Sequence, residues 1–324
     1  MKTKTLVLMI IALSLLAAGL IVACIGASFM NFDFLTLNTA KSTVSTHNVT
    51  EEFHSIAISE KTSDIVFLPS EDGSVKVVCN EQKKMTHAVS VQNGVLTVKL
   101  IDSRKWYDHI TLFNFGNDKT TVYLPKGAYE SLSIKTNTGD IKIPDGYAFE
   151  RASLFVDTGD INWQADVKDA FLIDTDTGDV KISNAALGSL KLETDTGDVK
   201  TENINGSDLF DLETSTGDIR MQSVTCGALK LETDTGDVTL TDTVSGGHAK
   251  IDTDTGDVKF VRADAATLDI ETDTGDVTGS LRSAKIFYAK SGTGKVNVPQ
   301  STAGGLCNIN CGTGDIRITI EGVN

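Results

Sequence analysis

From about residue 131 to the C-terminus, apolar and polar residues alternate in short bursts, and each burst ends in the same step. One copy reads Leu190-Lys191-Leu192-Glu193-Thr194-Asp195-Thr196-Gly197-Asp198-Val199-Lys200. Strict alternation predicts a strand with one buried face. The Thr-Gly-Asp step then predicts a tight turn, since Gly supplies positive φ and the flanking Asp can accept backbone amides. Val199 restarts a strand. A looser return containing Asn, Gly, Ala or Ser leads into the next copy.

The step recurs every 19 or 20 residues, with glycines at Gly139, Gly159, Gly178, Gly197, Gly217, Gly236, Gly256, Gly275, Gly294 and Gly314. Thr precedes the glycine in all ten copies, and Val or Ile stands two residues after it. Asp follows the glycine in nine copies, Lys295 being the exception. Five residues before it, nine copies carry Leu or Ile, and Ala289 breaks the run. A fixed period of this size marks a stacked array in which no unit buries its apolar face alone. A meander of hairpins would not need the same residue at every corner. The prediction is therefore all-β: a β-solenoid of about ten 19–20-residue rungs. Columns of equivalent residues would lie about 4.8 Å apart.

Residues 51–130 read as an irregular β cap made of degenerate first repeats. Thr62-Ser63-Asp64-Ile65 is the same step with Ser for Gly, and Gln92-Asn93-Gly94-Val95 predicts a hairpin turn. Residues 131–324 are the solenoid proper. The step Ser291-Gly292-Thr293-Gly294-Lys295 marks an altered terminal rung, and no separate C-terminal cap is evident.

The N-terminus differs. Lys2 and Lys4 precede an uncharged run from Leu6 to Met30, long enough for a transmembrane helix. Residues 1–30 are expected to form a cytosolic stub and anchor, with the membrane as partner of residues 5–30 and residues 31–50 as a linker. The lysines favour an inside N-terminus and exported repeats. The alternative is a lipoprotein tether, because Ile21-Val22-Ala23-Cys24 matches the loose pattern before a lipidated cysteine.

A formal charge of −15 makes nucleic acid a poor partner. Five cysteines show neither a Cys-x-x-Cys pair nor zinc spacing, and Cys307 and Cys311 read as small buried residues. No Gly-x-Ser-x-Gly, phosphate-binding loop or His-Glu-x-x-His occurs, and the unvarying period leaves little room for the loops that build enzyme sites on β-helices. The chain is read as a non-enzyme with no organic cofactor.

Two acidic columns are the one chemical candidate. Asp160, Asp179, Asp198, Asp237, Asp257 and Asp276 follow glycines, as do Asp140, Asp218 and Asp315, while Asp157, Asp176, Asp195, Asp234, Asp254 and Asp273 precede glycines by two. Stacked carboxylates about 4.8 Å apart repel by roughly 0.9 kcal/mol per pair even at water's dielectric. Turn amides, or the basic column Lys142, Lys181, Lys200, Arg220, Lys259 and Arg317, would offset this. A row of Ca²⁺ ions is the functional alternative. Thr194 and Thr196 share the parity of Leu190 and Leu192, which predicts that both point inward.

A single membrane run, a leader ending near Trp106-Tyr107-Asp108-His109-Ile110, and tandem Thr-Gly-Asp-(Val/Ile) strands resemble the bacterial β-strand-repeat "putative adhesin" family, a domain of unknown function. The resemblance covers nearly all of residues 51–320. It implies a surface binding, adhesion or envelope-scaffold module on the bacterial membrane, with an unknown surface protein or polysaccharide as partner. Its alternatives are an accessory of a cell-envelope stress system and, more remotely, a polysaccharide-active enzyme. It supplies no catalytic residue.

Overall fold

A computed structural model describes residues 12–16, 19, 21, 42–82, 84–104 and 118–321. Within them, 25 strands join one continuous hydrogen-bonded sheet that winds into a parallel β-solenoid. Each rung has a strand running up to the Thr-Gly corner and a second leaving it. Leu190, Leu192, Thr194 and Thr196 pair in parallel with Phe210, Leu212, Thr214 and Thr216. Beyond the corner, Val199 and Lys200 pair with Ile219 and Arg220. Identical repeat positions thus lie over one another, which a meander would not produce.

The alternation in the sequence becomes a continuous interior. Leu132, Leu154, Ile173, Leu192, Leu212, Leu231, Ile251, Ile270 and Ile309 line it, and the Val or Ile after each corner, Val296 excepted, closes it from the opposite wall. Near the N-terminal end the interior widens around aromatics: Phe149 contacts Trp163, which contacts Phe171 at a 4.4 Å centroid distance. The Trp163 indole donates to the Ala165 carbonyl at 2.7 Å, satisfying its one polar atom. Cys79, Cys226, Cys307 and Cys311 are buried free thiols, and Cys24 lies outside the described residues.

The rungs turn a second time six residues after the glycine. Asn184, Asn203, Ser223, Asp242 and Arg262 all adopt φ near +50° to +55° there. Asn and Asp tolerate this left-handed region best among side-chain-bearing residues. The Asn203 amide donates to Asn184 Oδ1 at 3.0 Å, so this corner also stacks.

Spatial order departs from chain order at both ends. The Ser63 rung, Ser55–Ser59 and Asp64–Pro69, lies between the Gly139 rung and an outer rung of Val95–Asp102 and Lys119–Leu124. Residues 51–130, read as a cap of degenerate first repeats, thus supply two further rungs. Met85–Gln92 covers Val95–Asp102 as the antiparallel hairpin predicted at Asn93-Gly94. Val75–Gln82 covers Lys119–Leu124, and Ser42–Val49, from the stretch read as linker, covers Val75–Gln82. At the other end Gly305–Thr313 inserts between Val258–Thr274 and Lys285–Thr293. Likewise Ile316–Ile320 inserts between Val277–Leu281 and Val296–Asn297. The Gly294 rung is therefore outermost, although it is not last in sequence.

The transmembrane helix expected over Leu6–Met30 is not shown. Residues 12–16, 19 and 21 are helical, but most of the run lies outside the described residues. No helix among the described residues is long and apolar enough to cross a membrane.

Candidate functional site: the acidic corner

The Thr-Gly-Asp corner is a ladder of side chains on backbone. Each Asp amide donates to Oδ1 of the aspartate one rung earlier. The series starts at Asp64, whose Oδ1 accepts from the Asp140 amide at 3.0 Å. It continues through Asp160, Asp179, Asp198, Asp218, Asp237, Asp257 and Asp276. Asp315 donates to Asp276 at 2.7 Å, and Lys295 donates to Asp315 at 2.7 Å. The expected amide acceptance is present, but it runs between rungs and not within one turn.

This ladder explains the one exception in the column. A rung needs Asp only if another rung stacks on it and requires an acceptor. The outermost rung requires none, and it carries Lys295. At the opposite end Asp64 is in register with Lys119 of the outer rung. A lysine thus stands at each end of the carboxylate column. Asp315, beside Lys295, is held below the ordinary carboxylate range, first by the Lys295 amide and then by the charge of Arg317.

Glycine is required for closeness as well as conformation. A Cβ on Gly217 would lie 2.0 Å from the Gly197 carbonyl oxygen, and every corner glycine from Gly159 to Gly275 meets the carbonyl of the preceding corner glycine in the same way. Thr214 and Thr233, buried three residues before their glycines, donate to the corner carbonyls of Gly197 and Gly217 at 3.2 Å. The inward prediction for the threonine pair holds only for its first member. Thr194 is buried and Thr196 is exposed, because the corner interrupts the strand alternation between them. All ten threonines that precede a corner glycine are exposed.

The second predicted acidic column, Asp157, Asp176, Asp195, Asp234, Asp254 and Asp273, faces solvent beside these threonines. A third column went unremarked in the sequence: Asp174, Glu193, Glu213, Glu232, Asp252 and Glu271, four before six successive glycines. Its signal was visible, but it falls on the outward strand positions, where charge is ordinary. The structure aligns all three columns into one acidic band. Cations flank it. Lys191 and Lys250 pair with Glu193 and Asp252 at 2.7 and 3.0 Å, and Lys230 reaches both Asp211 and Glu232 at 3.2 Å. On the other side Arg220 bridges Asp198 at 2.9 Å and Asp218, and Arg317 bridges Asp315 and Asp276. Among the described residues, no three acidic, histidine or cysteine side chains are gathered as a metal-holding group.

One buried polar cluster lies away from the corner. Glu60 accepts from Thr120 Oγ1 at 2.7 Å and pairs with His87 Nε2 at 3.1 Å. Burial works against the charged His87 ring, but hydrogen bonds to Cys79 and Glu60 outweigh it and push its pKa up to about 10. The cluster joins the covering strands to the first rungs. Trp106 and Tyr107, weighed for sugar stacking or cap packing, lie outside the described residues.

No curated protein gave a match. A solved "putative adhesin" from Bacteroides fragilis is 16% identical with a TM-score of 0.40, covering 86% of this chain and 99% of that one. A "putative adhesin" from Parabacteroides distasonis is 13% identical with a TM-score of 0.43, covering 75% and 98%. A "putative lipid binding protein" from the same organism is 12% identical with a TM-score of 0.31, covering 86% and 98%. The family model Toastrack DUF4097 matches residues 53–222 and again 209–323, so that its two copies span nearly the whole stack. The chain belongs to the Toastrack DUF4097 family.

Proposed function

We propose that this chain is an exported, membrane-tethered binding module that holds a rigid acidic band away from the cell surface as an adhesion or envelope-scaffold element. The observation that carries the reading is the band itself. Carboxylates repeat at rung spacing in two columns over the six successive rungs from Gly178 to Gly275 and in a third over five of them, Ser215 standing in the gap, and a backbone ladder fixes the column that follows the glycines. Such a lattice suits a repetitive cationic surface, because many weak contacts at fixed spacing add through multivalency. Exposed pairs individually contribute only about 0–1 kcal/mol. The regular rungs from Gly139 to Gly275 carry no inserted loop, which favours a binding surface over a local catalytic cleft. The uncharged Leu6–Met30 run is the proposed anchor.

The test is an in-frame deletion of residues 199–237, which removes two rungs and rejoins Asp198 to Val238 in register. Retention of the full chain and of the deletant is then measured on immobilised polylysine and on intact cells across a salt gradient. Proportionate weakening with retained folding is the expected result. All-or-none loss, or binding indifferent to salt, would overturn the reading. Calcium is expected to shift the melting temperature no more than magnesium at the same concentration, since the Oδ1 atoms of the ladder aspartates already accept amides.

A further inference from the structure

The two ends of the stack are finished differently. At the N-terminal end, antiparallel strands cover both edges of the outer rung. At the C-terminal end, Lys285–Thr293 and Val296–Asn297 each pair on one side only, and no strand among the described residues takes the other side. The interior side chains of this rung are correspondingly uncovered. Phe287, Ala289 and Val298 are only partly buried, and Val296 is 43% exposed where its counterparts Val258, Val277 and Ile316 are buried. An open β edge of this kind is a template for another strand.

The charge at this end is opposite to that of the rod. No Asp or Glu occurs from residue 277 to residue 314. Of the four cations in that stretch, Lys285 is paired with Asp264 and Arg282 with Asp242. Lys290 and Lys295 are exposed and have no ion-pair partner among the described residues. They occupy the positions that carry Glu232 and Asp237 in the Gly236 rung. The end rung is thus an apolar floor with free cations at two sites, Lys295 where the adjacent rung carries Asp315 and Lys290 over Asn310, with Glu271 one rung further in.

We propose that the Gly294 rung is a docking edge for an extended partner strand alternating apolar and acidic residues. The inference goes beyond the proposed binding function, since it uses the end of the stack and not the acidic band. A second copy is the poorer occupant on two grounds. Two such ends meeting would set Lys290 and Lys295 of each copy against one another, and the far end of a second copy is already covered. Lys295 also lacks the carboxylate oxygen that the corner amide of a stacked rung takes elsewhere in the ladder. A partner bringing a carboxylate to Lys295 recovers that contact as an ion pair. In parallel register, the partner's apolar side chains would lie over Phe287, Ala289 and Val296, and its acids over Lys290 and Lys295.

The probe is a labelled peptide copying residues 228–240, which carries this pattern, titrated into the purified full chain and followed by fluorescence anisotropy. Saturable binding is expected, weakened at least tenfold by K290E/K295E in the protein. Binding of that variant should recover when the peptide's two matching acids, Glu232 and Asp237, are changed to Lys. Because both lysines are exposed, the variant should fold, and its melting temperature checks this. Absence of saturable binding would overturn the proposal, as would binding indifferent to the charge swap. A concentration-dependent dimer of the full chain in sedimentation, abolished by K290E/K295E, would equally overturn it by making a second copy the occupant.

Discussion

A methyl group at a corner glycine would strike the carbonyl of the rung beneath, and this contact governs the residue scale. Gly217→Ala should cost about 3 kcal/mol from overpacking and backbone shift, read as a lowered denaturant midpoint. The aspartates make a finer test. Asp218→Ala leaves the Asp237 amide without its acceptor and should cost about 1 kcal/mol, because the corner is partly solvated. Asp218→Asn retains an accepting oxygen and gives up both a repelling charge and the exposed pair with Arg220, so it should cost less than Asp218→Ala. If the two variants were equally destabilised in urea titrations, the ladder would not be what fixes the corner. The glycine and aspartate columns were plain in the sequence, but the reason for them was not. Conformational freedom and turn bonding were expected, whereas the dominant constraints are a carbonyl overhead and an acceptor one rung away. Both involve residues 19 or 20 positions distant, which local turn rules do not reach.

At the scale of the element, the strand up to the corner was legible because alternation of period two survives any register. The second corner was less so. Its column holds Asn184, Asn203, Ser223, Asp242 and Arg262, five positions sharing one backbone state and no single residue type. Asn recurrence in the return segment was the only hint. Asn203→Val should cost about 2 kcal/mol, because a β-branched side chain resists positive φ, while Asn203→Gly should leave the melting temperature nearly unchanged. Thr196 teaches the same lesson from the other side. Parity placed it indoors with Thr194, but a corner resets parity, and the reset cannot be read without knowing where the chain bends.

At the scale of the whole molecule, the ten regular rungs and the core composition followed from the period, while the exchanged order at each end did not. The altered step Ser291–Lys295 marked a terminal rung in the sequence, but that it lies outside the Gly314 rung, which follows it in the chain, becomes legible in Lys295 only once the ladder is known. The N-terminal covering layer is the part whose stability should respond to pH. His87 titrates near 10 in the folded chain against about 6.5 when unfolded. Its contribution is therefore full below about pH 6.5 and is lost as pH rises through 10. Hydrogen exchange in Met85–Gln92 should accelerate beyond the ordinary base-catalysed trend over that window, and His87→Gln should flatten the excess.

The exchange at the C-terminal end also bears on how the molecule is finished during synthesis. The segment of residues 305–320 is not laid on the outside; it must slip between two layers made before it. A chain cut short near residue 303 would therefore lack an inner course of the wall, leaving the Gly294 segment nothing to seat on and the Gly275 layer bare. Copies lacking that segment would betray themselves by a frayed stretch open to proteases, so that the wall is continuous only once residues 305–320 are in place.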